Sequence, residues 1–130
     1  MNLNIPYMET DNKLLNDAYR IAVGDIVGNI VYYQNGLLTE EKPCMIAGLD
    51  YNTPWTRDTA INIWNALSIL SPEVSKNTLL AVLEEEEGNI YIDGQYWDSI
   101  IWMIGAREYC RFHKDDNFYR LAFEAGRNSV

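Results

Sequence analysis

The 130-residue chain holds two cysteines, one histidine and only ten basic residues. Each scarcity narrows what the chain can be. Cys44 and Cys110 lie far apart, and the lone His113 has no neighbour at metal-ligand spacing, so no metal centre is expected. A disulfide between the two cysteines stays open at this level, with a reduced, buried pair as the expectation. Ten Lys and Arg stand against 19 Asp and Glu, and the formal charge of -9 repels phosphate backbones and anionic lipid, so neither nucleic acid nor membrane is an expected partner. No apolar run approaches the ~20 residues that cross a bilayer. Residues 1–10 carry neither the basic segment nor the apolar stretch of an export signal, and the expected location is cytoplasmic.

Hydrophobic residues at 48% and charged residues at 22% describe a folded chain rather than a disordered one. Its length suits one domain. Four Trp and nine Tyr are the less ordinary numbers, because several stand beside Asp, Arg and Asn instead of in clean helical stripes. An aromatic face packs on the C–H groups of a pyranose while carboxylates and guanidinium groups take its hydroxyls. The same aromatics also fit as core and rim residues.

Apolar residues from Leu14 to Val31 recur at spacings of three and four, which predicts one long helix from Asp11 stopped by Asn35-Gly36. Residues 37–56, with Pro43, Gly48 and Pro54, read as a long loop. A second helix starts near Arg57 or Asp58 and ends before Ser71-Pro72, which cap and open a third that closes at Gly88. The acidic run Glu84 to Glu87 reads as the solvated end of that helix. Asn89 to Ile92 suit a short extended piece, a heavily apolar fourth helix follows from Asp98 to about His113, and Asp115 or Asp116 caps a fifth. The expected fold class is all-α, a string of antiparallel helical hairpins.

Two junctions between loop and helix carry the candidate chemistry. The first runs Asp50-Tyr51-Asn52-Thr53-Pro54-Trp55-Thr56-Arg57-Asp58-Thr59, and the second Gly94-Gln95-Tyr96-Trp97-Asp98. Asp58 and Asp98 stand forty positions apart, a fitting length for a helix, a turn, a second helix and a returning loop. Either aspartate also suits a plain helix cap, accepting backbone N–H groups at the positive end of the helix dipole.

Together the junctions resemble the catalytic domain of the amylo-α-1,6-glucosidase (glycogen-debranching) group and its relatives among glucoamylases and family-63 glucosidases, over about residues 11 to 120. The resemblance implies part of an (α/α)6 toroid, with residues 1–130 forming one partial glycosidase-like domain truncated at its C-terminal end. It implies a pocket for a terminal sugar lined by Trp55, Arg57 and Asp58, with Tyr96 and Trp97 beside Asp98. It gives Asp98 the part of general acid in an inverting hydrolase of α-linked glucosides or related oligosaccharides. Glycoside cleavage needs a second carboxylate facing the same cleft. In the family that base is a Glu in later hairpins, so the remainder of the catalytic domain is expected beyond Val130 and the chain alone is expected to be inactive. No cofactor is expected. The alternative is a non-catalytic helical module that binds carbohydrate or another protein.

Overall fold

The computed structural model describes residues 3, 5–48 and 50–130. Asn12 opens helix α1, Lys13–Gly28, its side-chain oxygen accepting the N–H groups of Leu14 and Leu15 at 3.0 and 3.3 Å. The helix ends at Gly28, short of the predicted stop at Asn35-Gly36. Ile30-Val31-Tyr32-Tyr33, β-branched and then aromatic, forms strand β1 (Ile30–Tyr33), which pairs antiparallel with β2 (Lys42–Met45) in the register Ile30 to Met45 and Tyr33 to Lys42. The expected loop of residues 37–56 therefore contains a strand. None of the residues of α1 is fully buried, and Leu14 is 80% exposed, so most of its apolar stripe faces outward while Ile26, near its end, packs against the core.

Thr56–Asn62 (α2), a π-helical stretch Ile63–Leu67 and Ser68–Leu70 (α3) continue one another as a single rod, since the connecting residues Asn62 and Leu67 keep right-handed helical backbone. The Ser68 hydroxyl donates to the Ile63 carbonyl at 2.9 Å, across the widened turn. Ser71 then caps α4 (Pro72–Ala81) by accepting the Val74 N–H at 3.3 Å, with Pro72 in the first turn as its sequence foretold.

Past Ala81 the helix gives way to a hairpin. Strand β3 (Leu83–Glu86) pairs antiparallel with β4 (Asn89–Ile92), and Glu87 and Gly88 between them both have positive φ, 52° and 80°. A two-residue hairpin turn of this handedness matches the twist of its strands. The acidic run is thus a solvated strand and turn, and Asn89 to Ile92 form the extended piece expected. Helices α5 (Asp98–Phe112) and α6 (Asp116–Asn128) complete the chain, and Asp115 caps α6 by accepting the Phe118 N–H at 3.0 Å.

Five helical rods and two antiparallel two-stranded sheets make this a mixed α/β chain, which overturns the all-α expectation. A toroid of helical hairpins requires consecutive rods joined by turns, whereas β1 and β2 separate α1 from α2, and β3 and β4 separate α4 from α5. The resemblance to the (α/α)6 glucosidases falls with that architecture. So do the glycoside-hydrolase reading and the helical-module alternative, both of which were built on it. Four-residue strands are too short to impose a period of two, and the apolar residues of β1 and β3 read as continuations of the preceding helices while β2 read as loop.

The core gathers around α5. Trp102 is fully buried with its indole N–H donating to the Leu79 carbonyl at 3.3 Å, and Phe118 meets Tyr109 edge-on at a centroid distance of 5.0 Å. Ile63, Leu67, Val74, Leu79 and Leu83 fill the space between the rods. Each such apolar side chain contributes about 1.5–3 kcal/mol relative to exposure. At Gly105 a Cβ would lie 2.8 Å from the Cα of Ala60, so two small residues let α5 cross α2 at close range and fix where both helices begin. Among the described residues no helix is long and apolar enough to cross a membrane.

Candidate functional site

The site is assembled where α2 and α5 start. After β4 the chain is tied at Asp93, whose N–H donates to the Val82 carbonyl at 3.0 Å and whose carbonyl accepts the Thr56 hydroxyl at 2.6 Å. The next residue, Gly94, has φ 132°, and a Cβ there would come within 2.7 Å of the Cβ of Asp98 and 2.8 Å of its Oδ2. Only glycine fits this position. The tight loop lets the Gln95 N–H donate to Asp98 Oδ2 at 2.9 Å while the Asp98 N–H donates back to the Gln95 carbonyl at 2.6 Å.

Asp98 is the first residue of α5 and is buried. Its other oxygen, Oδ1, accepts from both Arg57 Nε at 3.0 Å and Arg57 Nη2 at 2.9 Å. The two junctions identified in the sequence therefore meet in space, forty-one positions apart along the chain. Arg57 stands beside Asp58 in the sequence. It reaches instead across to Asp98, because consecutive residues on a helix point about 100° apart. Nor do the two aspartates cap their helices: the capping positions are Trp55 and Trp97, neither with a side-chain cap bond, and Asp58 and Asp98 lie in the first turns.

A cleft of about 600 Å³ opens beside this pair. Trp55, Arg57, Asp58 and Asp98 line it, so four of the six residues singled out in the sequence are gathered there. Tyr96 and Trp97 are not among its walls. They are 97% and 64% exposed and turn to solvent, away from the pocket in which the resemblance sets them beside Asp98. Thr59 of the first junction faces the core, with its hydroxyl buried and without a partner.

The aromatic surface of the cleft comes from elsewhere. Tyr51 meets Trp55 edge-on at 5.4 Å between centroids, and Tyr33 enters from the end of β1. Burial holds the Tyr33 phenol above its ordinary value of 10.0, with Cys44 and Asp93 adding to the rise, so this hydroxyl stays protonated as a donor. Asn35 also lines the cleft, held by its amide N–H to the Ala81 carbonyl at 3.1 Å. Asp93 and Gln95 complete the polar side. Tyr51, Asp93 and Gln95 sit within or beside the junction motifs, where proximity to Trp55 and Asp98 was a usable signal. Tyr33 and Asn35 had none, because their segment read as the end of a helix.

Chemically the cleft offers one ion pair, Arg57 with Asp98, and two carboxylates, Asp58 and Asp93, with no cation within 4 Å among the described residues. Every described contact of the Asp98 carboxylate is that of an acceptor. No cysteine or histidine lines the cleft. Among the described residues no three His, Cys, Asp or Glu side chains converge as a metal site would need. The arrangement sets aromatic faces and polar tips around one cavity. No family model, curated protein or solved structure matches the chain.

Proposed function

We propose that the cleft binds a small polar organic molecule, with an apolar face against Tyr51 and Trp55 and polar groups toward Asp58, Asp93 and Gln95. The observation that supports this reading is the cavity of about 600 Å³ that joins aromatic rings to an assembled ion pair. Ligand pockets fall in this size range and combine apolar walls with a few placed polar groups. In this reading Asp98 is a positioning residue: it fixes Arg57 and, through Gln95, the loop that forms one wall. Trp55, half exposed, is the stacking surface. An oligosaccharide or glycoside, the partner expected from the mixture of aromatics with Asp and Arg, is carried as one candidate ligand, with no cleavage implied.

The test is a titration followed by amide chemical shifts, using maltotriose, benzyl alcohol and benzylamine as separate probes, on the wild-type chain and on Trp55→Ala. Saturable shifts confined to the amides of Tyr51 to Asp58 and Asp93 to Asp98, weakened at least fivefold in Trp55→Ala, support the reading. Shifts scattered over the surface, or none with any probe at millimolar concentration, overturn it.

A further inference from the structure

We infer that the cleft selects organic cations: its ligand is a protonated or quaternary amine carried on an apolar group. This deepens the proposed binding function and rests on it. The charged side chains lining the cleft are Arg57, Asp58, Asp93 and Asp98. Arg57 is consumed by Asp98, with both of its described contacts going to one carboxylate oxygen. Asp58 and Asp93 remain, and no Lys, Arg or His stands within 4 Å of either among the described residues. An empty cleft thus presents two uncompensated negative charges.

The uncharged walls point the same way. Tyr33, Tyr51 and Trp55 supply three ring systems on the cavity, and aromatic faces attract ammonium groups through their negative quadrupole, most of all where water is displaced. Tyr33 and Asp93 both line the cleft, so an aromatic ring and a carboxylate share its wall. Three of the neutral groups are engaged on the protein side, the Asn35 amide N–H with the Ala81 carbonyl, the Thr56 hydroxyl with the Asp93 carbonyl and the Gln95 backbone N–H with Asp98, which leaves the Gln95 side chain for a ligand's polar group. An anionic ligand would meet the two carboxylates with Arg57 already neutralised. A neutral polyol would leave both carboxylates without a counter-charge. The whole chain, at -9, adds a long-range field that concentrates cations at its surface.

The decisive comparison is benzylamine, protonated at pH 7, against benzyl alcohol, which has nearly the same shape and no charge, with maltotriose as the neutral polyol. Amide shifts of the cleft residues report all three. The expected result is that benzylamine binds at least tenfold more tightly than benzyl alcohol. That preference should fall below threefold in Asp58→Asn/Asp93→Asn, a variant verified by circular dichroism to remain folded, and weaken when sodium chloride is raised from 20 to 300 mM, on the order of the Debye screening lengths involved. Trp55→Leu should lower benzylamine affinity at least threefold without touching either carboxylate. Equal or tighter binding of benzyl alcohol or maltotriose overturns the cation selectivity while leaving a binding cleft in place. Absence of localised shifts with all three probes overturns both.

Discussion

The Asp98 carboxylate sets the shape of its surroundings more than any other single side chain. In Asp98→Asn the amide oxygen still serves as an acceptor but the pairing with Arg57 is lost, and Arg57, 47% exposed, turns to water. The expected cost is about 1 kcal/mol, in the range of a partly screened pair plus one hydrogen bond, measured as a fall in urea midpoint at unchanged slope. Gly94→Ala should cost more, roughly 1–3 kcal/mol, since both the positive φ and the Asp98 side chain oppose a Cβ. Cys44 is fully buried and its thiol is pushed up to about 12 by that burial, so it should react with an aromatic disulfide reagent only as fast as the chain opens, well behind Cys110. Four of the candidate site residues were legible because a loop entering a helix is where polar side chains converge. Tyr96 and Trp97 lie outside the cleft because adjacency to Asp98 in sequence says nothing of side-chain direction when the loop twists through Gly94 and through Tyr96, whose φ is 20°.

At the scale of elements, helices with explicit stop and start signals were readable, and of the strands only β4, Asn89–Ile92, was. Ser71-Pro72 and Asp115 mark α4 and α6 by mechanisms that act within one turn, so the sequence alone suffices for them. Strand β3 is written in glutamates, good helix formers, and what overrides their preference is the Glu87-Gly88 turn and the pairing of Leu83 with Ile92. Pairing of this kind, closed by a two-residue turn, leaves no periodic trace in a strand of four residues. The crossing of α2 and α5 depends on Gly105. Gly105→Val should cost about 1–3 kcal/mol by overpacking against Ala60 and should also disturb the cleft amides, because both helices start there. By contrast Ile21→Lys, on the uncovered face of α1, should shift stability by no more than about 0.5 kcal/mol. A core role for α1 would give a far larger loss in the same denaturation experiment.

The molecule as a whole should lose stability at both ends of the pH scale through one cluster beneath the α4, α5 and α6 contact. Lys76 lies 2.6 Å from Asp115, and its hydrogen bond, with that of the Phe118 N–H, holds the Asp115 carboxyl below its ordinary 3.8. A group lowered on folding stabilises fully above its unfolded value, so this contribution drains away as pH falls through the lower folded value. Tyr109 is raised from 10.0 to about 12, chiefly by burial, and its contribution is complete below 10 and lost as pH climbs toward 12. Tyr109→Phe should therefore flatten the alkaline limb of a melting-temperature profile and move the acid limb only slightly, because the Tyr109 hydroxyl is the smallest of the contacts that lower Asp115, while Asp115→Asn should flatten the acid limb.

The loop after β1 is bound to the far end of α4: Gly36 sits so close that a Cβ would lie 2.5 to 2.8 Å from the carbonyls of Leu80, Ala81 and Leu83, and the Leu37 N–H donates to Leu80 at 3.1 Å. In deuterated solvent the Leu37 proton, though it belongs to a connecting segment, should exchange no faster than the last amides of α4. A single slow signal in an irregular stretch would then report when the first sheet and the helical body come apart.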